Sequence, residues 1–214
     1  MTDIKVGRLV IGSVQTNCYF LYDANCKKEE KQVIFIDPAD KGDYIYEQLR
    51  INGFHVAGIL LTHGHFDHIW GSEKLRELSG AKIYAFEDEK ALCENASTNM
   101  SMQAGRPYTV VPDVYLKDGE EIKIAGMSCK LIATPGHTIG SCCFYFEQAK
   151  ILISGDTLFQ ESVGRTDLPT GSMSMLTHSI KNKLAVLPGD VTVYPGHGDS
   201  TTIAYEIKYN PFCQ

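Results

Sequence analysis

The segment Ile59-Leu60-Leu61-Thr62-His63-Gly64-His65-Phe66-Asp67-His68-Ile69-Trp70-Gly71 crowds four metal-competent side chains into six positions, directly after an apolar run. Ile59, Leu60 and Leu61 read as a buried strand, and Ile69 opens a helical pattern. His63, His65, Asp67 and His68 are therefore placed on one strand-to-helix turn. Three imidazoles and a carboxylate this close suit a divalent cation of zinc type. The plainer reading is a surface loop that happens to hold histidines. It is disfavoured because the same design recurs. Thr134-Pro135-Gly136-His137 follows Leu131-Ile132-Ala133, and Ser154-Gly155-Asp156 follows Ile151-Leu152-Ile153. Pro195-Gly196-His197 follows Val191-Thr192-Val193-Tyr194.

Seven ligands are too many for one tetrahedral ion and suit two. Five of the seven His are used in this way, and His55 and His178 are left to surface or helix positions. Strand ends that converge on one sheet edge are a usual place for a site. Gly64, Gly136, Gly155, Gly196 and Gly198 let the backbone turn tightly beside the ligands.

At 214 residues the chain is expected to form one compact unit spanning 1–214. Strands are expected at 6–11, 18–22, 33–36, 59–61 and 81–86, and then at 121–124, 128–133, 141–146, 151–154 and 191–194. A hairpin turn is expected within 23–32. Helices are expected at 42–52, from Ile69 to Gly80, at 88–95, after an N-cap at Ser172, and from a cap at Ser200 through Tyr209. Residues 96–109 are expected to form a loop over the site, and 156–171 a long loop. Two sheets with helices on their outer faces bury these runs, an α/β architecture.

A net charge of −6, with no run of more than two Lys or Arg, argues against nucleic acid as the partner. The longest apolar runs, of about six residues, are far short of a membrane span, which needs roughly 20. No signal-peptide layout is visible at the start, so a cytoplasmic location is expected. Seven cysteines without a Cys-x-x-Cys pair suit reduced thiols, with Cys142 and Cys143 packed in an apolar strand.

The series His63-x-His65-x-Asp67-His68, His137, Asp156, His197 resembles the metallo-β-lactamase fold superfamily, over nearly the whole chain. The resemblance implies an αββα sandwich of two mixed β-sheets with the metals at one sheet edge. It implies that His63, His65 and His137 hold one metal, that Asp67, His68 and His197 hold the other, and that Asp156 bridges. A narrower similarity to the glyoxalase II-like group rests on several segments. These are Gln15-Thr16-Asn17-Cys18-Tyr19, Asp37-Pro38, Thr134-Pro135-Gly136-His137-Thr138, Ser154-Gly155-Asp156-Thr157-Leu158-Phe159 and Gly164-Arg165-Thr166-Asp167-Leu168-Pro169. The most familiar zinc β-lactamases usually carry Cys where this chain has Asp156. Glyoxalase II proper adds a C-terminal helical region that holds glutathione. Here about 17 residues follow His197, as in short bacterial glyoxalase II-like proteins.

The resemblance implies a dinuclear metal-dependent hydrolase, with zinc the expected metal and iron or manganese compatible with the same ligands. Two divalent ions, two carboxylates and one hydroxide sum to about +1, which favours a small anionic thioester or ester. A hydroxide shared by the metals is expected to attack the carbonyl of a thioester such as S-lactoylglutathione. Asp67 and Asp156 are the expected catalytic carboxylates. A thiolate, with a solution pKa near 8.5, leaves with little protonation, whereas an amine needs an acid.

The runner-up is a mononuclear iron oxygenase resembling persulfide dioxygenases, with iron on His63, His137 and Asp156. A lactonase or esterase of the same fold is a further alternative, and a non-enzymatic metal-dependent binding module is a third. Arg165 is a candidate for binding a substrate carboxylate, or else pairs with Asp167 to brace its loop. Thr62, Thr134, Thr138 and Thr157 are placed to orient imidazoles. Tyr108, Tyr145 and Lys150 are weaker pocket candidates.

Overall fold

The apolar runs become strands covered on both faces, which is why they read as continuous and not alternating. A computed structural model describes residues 2–27 and 31–214. The first sheet contains β1 (Ile4–Ile11), β2 (Thr16–Asp23), β3 (Lys31–Ile36), β4 (Phe54–Leu60), β5 (Lys82–Phe86) and β6 (Val114–Leu116), in that spatial order. β1 to β3 pair antiparallel, and β3 to β6 pair parallel. Parallel neighbours need a crossover. Between β3 and β4 it is α1 (Gly42–Ile51). Between β4 and β5 it is α2 (Phe66–Ile69) followed by α3 (Ser72–Ser79), and α4 (Lys90–Cys93) begins the crossover to β6.

The second sheet contains β7 (Glu121–Ile124), β8 (Met127–Ala133), β9 (Cys142–Phe146) and β10 (Ile151–Gly155). A small hairpin of β11 (Leu158–Phe159) and β12 (Ser162–Val163) follows β10, outside the sheet. Then come α5 (Met173–Ser179), a π-helical turn at Ile180–Leu184, β13 (Thr192–Pro195), β14 (Thr201–Thr202) and α6 (Ile203–Tyr209). The sheet order is β14-β13-β10-β9-β8-β7, with β10 and β13 parallel.

Period-two geometry divides each strand between two layers. In β3, Ile34 and Ile36 face the second sheet, while Val33 and Phe35 pack beside Ile45 and Leu49 of α1 and Leu75 of α3. In β9, Phe144 and Phe146 join the inter-sheet core, while Cys143 and Tyr145 lie under Leu176 of α5 and Ile203 of α6. The order of layers is helix, sheet, sheet, helix, the αββα sandwich anticipated above. Burial pushes the thiol of Cys18 up to about 12 and that of Cys143 up to about 11, so both are packing groups.

Several local expectations are corrected. Residues 96–109 do not cover the site. They pack beside α2 and α3, where the Phe66 amide donates to the Asn99 carbonyl at 2.9 Å and the Glu73 amide to the Tyr108 hydroxyl at 2.9 Å. The 156–171 stretch is not all loop, because it holds the β11–β12 hairpin. The last helix is capped by Thr202, whose hydroxyl accepts from the Tyr205 amide, and not by Ser200. The expected 23–32 turn lies partly outside the described residues.

Candidate metal centre

Four strand ends on one edge of the sandwich carry the polar residues. β4 ends at Leu60, and Thr62 to Asp67 turn from it into α2, with Asp67 and His68 in that helix. His137 follows β8, Asp156 follows β10 and His197 follows β13. The fold brings all seven predicted side chains together, in three overlapping groups. They are His63, His65 and His137; His63, His68 and Asp156; and Asp67, His68 and His197. Ligand-capable atoms within each group lie within 4.8 Å of one another. His63, His65, His68 and His137 are buried, and Asp67, Asp156 and His197 form the partly exposed floor of a cleft. His55 and His178 are exposed and elsewhere.

Hydrogen bonding fixes where three of the rings hold their Nδ1 proton. The Nδ1 of His137 lies 2.7 Å from the Arg165 carbonyl, which can only accept, so Nδ1 carries the proton and Nε2 the lone pair. The Nδ1 of His68 donates to Asp37 Oδ2 at 3.0 Å. The Thr62 hydroxyl gives its own proton to Asp37 Oδ2 at 2.6 Å and therefore accepts from His63 Nδ1 at 3.1 Å. The Nε2 atoms of His63 and His68 are thus turned inward, that of His63 bare. Both are buried without a hydrogen-bond partner, as are His65 Nε2 and Asp156 Oδ1. His65 turns Nδ1 to within 2.9 Å of His137 Nε2, so two ring nitrogens converge on one space. Buried polar atoms without partners are costly, and a cation bound between them removes that cost.

Electrostatics agree. Burial, reinforced by the neighbouring imidazoles, holds His63 well below its ordinary value and His65 down to about 3, so both rings are neutral donors. Burial also opposes charge on His68. Asp67, Asp156 and Asp37 outweigh it and push His68 up to about 10. Burial would raise Asp67, but His68 and His197 hold it well below the usual carboxylate range. Three carboxylates around one imidazole therefore call for positive charge. Asp156 lies between the two halves. Its Oδ1 is 3.5 Å from His68 Nε2, and its Oδ2 is 3.6 Å from both His137 Nε2 and His197 Nε2. Neutral His63 and His65, inward-facing ring nitrogens and carboxylates that already draw positive charge onto His68 fit a pair of divalent cations.

The surrounding residues explain motif segments that had no assigned role. Asp37, with φ of 52°, supports both His63 and His68, and its Oδ1 accepts from the Thr62 amide at 2.8 Å. The Thr16 hydroxyl donates to Asp67 Oδ2 at 3.1 Å. The Asn17 side-chain amide donates to the carbonyls of Pro195 and Gly198, both at 2.9 Å, and steadies the His197 turn.

Glu89 escaped sequence reasoning. It is 1% exposed and accepts from the Gly64 amide, the Thr138 hydroxyl and the Gly140 amide, tying two histidine turns together. Its place in an ordinary acidic cluster hid it. Of the four threonines singled out, Thr62 alone touches a ring, whereas Thr134 and Thr157 bond to each other and Thr138 bonds to Glu89. Tyr108, Tyr145 and Lys150 lie away from the cleft, with Lys150 paired to Asp190.

A sequence profile described as the Metallo-beta-lactamase superfamily matches residues 11–197. The chain belongs to this superfamily. Among superfamily relatives, the probable metallo-hydrolase YqgX of Bacillus subtilis (strain 168) is 37% identical over 211 residues, covering 98% of this chain and 97% of that protein. The hydroxyacylglutathione hydrolase GloC of Haemophilus influenzae is 31% identical over 205 residues, covering 94% of each. A crystal structure of BLEG-1, a B3 metallo-beta-lactamase, superposes with a TM-score of 0.91 at 34% identity, covering 98% of this chain and 100% of the other. TTHA1623 in a di-iron-bound form gives 0.84 at 31% identity, covering 96% and 99%. The superfamily and its hydrolase relatives support a metal-dependent hydrolase with a histidine–aspartate site. Among the described residues, no helix is long and apolar enough to cross a membrane.

Proposed function

We propose that this chain is a dinuclear metal-dependent thioester hydrolase of glyoxalase II type, with zinc the first metal to test. The observation that carries the reading is Asp156, which stands within 3.6 Å of ring nitrogens on both sides of a seven-residue cluster. His63, His65 and His137 on one side, and Asp67, His68 and His197 on the other, would hold divalent ions, which would supply a Lewis acid and lower the pKa of water to about 7. The residues do the rest. Asp156 ties the two sets together. Asp67, held in place by the Thr16 hydroxyl and ionised, faces the cleft as a ligand and hydrogen-bond acceptor. The buried imidazoles hold the base of the cleft in fixed geometry.

The leaving group supports a thioester. Among the described cleft residues outside the cluster, Ser162 and Arg165 are the polar ones, and neither is an acid suited to protonating an amine. A thiolate leaves without that help. The likeness to BLEG-1 favours a second reading, β-lactam hydrolysis, and the di-iron form of TTHA1623 makes iron a metal to test.

The deciding assay is hydrolysis of S-lactoylglutathione by protein of known metal content, loaded in turn with zinc, manganese and iron. Turnover that disappears on chelation and returns with metal is expected. Folded, fully loaded protein that leaves S-lactoylglutathione and simple thioesters intact overturns the reading. In that case a chromogenic cephalosporin and oxygen uptake with a persulfide separate the lactamase from the oxygenase.

A further inference from the structure

Beside the polar cluster, a cleft of about 480 Å³ has a second wall of a different character. Val14, Phe66, Phe159, Val163 and Leu168 line it, and the β11–β12 hairpin and the segment after it supply three of the five. These side chains are partly or largely exposed, so a ligand can still cover them. Two are held in place. The Phe159 ring meets the His197 ring edge-on with centroids 6.3 Å apart, and Phe66 packs on Trp70 at 4.7 Å.

One cationic side chain lines the cleft among the described residues, that of Arg165. One edge of it is engaged, with Nε donating to Asp167 Oδ1 and Nη2 to Asp167 Oδ2, each at 2.7 Å. Its backbone is fixed as well, because its carbonyl accepts from His137 Nδ1. A substrate carboxylate that took the same edge would displace Asp167, and one that took the opposite edge would stand beside Asp167 as a second anion on a charge already neutralised. The exchange returns no net charge pairing.

From these contacts we infer that the cleft selects substrates by an uncharged aliphatic acyl arm laid against Phe66, Phe159, Val163 and Leu168, and that Asp167 silences Arg165 as a receptor for carboxylates on the thiol carrier. The inference rests on the thioesterase reading and narrows its substrate class. The positive charge of a metal pair held by the cluster would act at the reacting carbonyl, whereas the carboxylates of a carrier such as glutathione would sit farther out, where the Arg165–Asp167 pair is neutral. Each methylene that leaves water for such a wall is worth about a fourfold gain.

The test uses matched thioesters on the metal-loaded protein. Acetyl, butyryl and hexanoyl groups are each attached to glutathione and to uncharged N-acetylcysteamine. Expected are kcat/KM values within about threefold between carriers, and a rise of roughly threefold to fourfold per methylene until the wall is covered. Asp167→Asn shifts the carrier ratio toward glutathione by about tenfold, and adding Arg165→Gln removes the shift. Phe159→Ala flattens the chain-length series. A wild-type preference for glutathione of tenfold or more, or a flat series, overturns the inference. Calorimetric titration of butyl and hexyl thioethers of both carriers separates the two readings. Thioethers that bind with the same gradient while no thioester is cleaved uphold the cleft and sink the thioesterase. A flat series of dissociation constants sinks the cleft alone.

Discussion

At the residue scale, the site depends on groups one step removed from the cluster. Asp37 fixes the protonation of two histidines at once, through His68 Nδ1 and through the Thr62 hydroxyl. Asp37→Asn preserves shape and tolerates the positive φ, but presents an amide where two donors need an acceptor. Metal affinity measured by chelator competition should fall by about 10–100-fold with the fold intact. Unchanged affinity would remove Asp37 from the design.

Glu89 makes a different prediction. Burial outweighs its three hydrogen bonds and raises its carboxyl to about 7. The folded chain therefore keeps a proton that the unfolded chain loses near 4.5, so this group's contribution falls as pH rises from about 4.5 to 7 and is level above that. Glu89→Gln removes the titration. In urea unfolding of the chelated protein, the wild type should lose ground to the variant between pH 5 and pH 8. A pH-independent difference would show that Glu89 does not titrate in this range.

At the element scale, strand ends are brought closer than side chains allow. A Cβ on Gly196 would stand 2.2 Å from Asp156 Oδ1 and 2.8 Å from His68 Cε1. The turn after β13 can reach Asp156 only as glycine. Gly196→Ala should cost at least about tenfold in metal affinity by pushing Asp156 out of the cluster. It should do so with little loss of secondary structure by circular dichroism, and retained affinity would mean that the turn yields. The cap of α6 offers a cleaner stability test. Thr202→Ala removes the acceptor for the Tyr205 amide and should cost about 1 kcal/mol in urea unfolding, while Ser200→Ala should cost little.

At the scale of the whole molecule, the sandwich holds together a site that opposes itself electrostatically. Several imidazoles and carboxylates are buried at one edge, and the inter-sheet core of Phe144, Phe146, Ile34, Ile36 and their neighbours bears that cost. Divalent metal at about a hundred times its Kd adds roughly 2.7 kcal/mol. For a chain of this size that is roughly 5–10 °C in Tm. Chelation should lower Tm by that amount, and restoring metal should recover it. A Tm indifferent to metal would place no cation in the cluster.

The sequence by itself determined the αββα layering and the identity of the clustered residues. Both are local signals: apolar runs set the strands, and metal-competent side chains follow four of them at once. The segments around Asn17 and Asp37 were also singled out, although not their purpose. Only the tertiary structure decided which nitrogen His63, His68 and His137 present. That choice depends on Asp37, Thr62 and the Arg165 carbonyl, which reach the rings from distant strands and turns. It also decided that residues 96–109 leave the cleft open, that Phe159 and Val163 line it, and that Arg165 pairs with Asp167. Periodicity reports what a segment buries, and it is silent on which buried partners meet across the gap between two sheets.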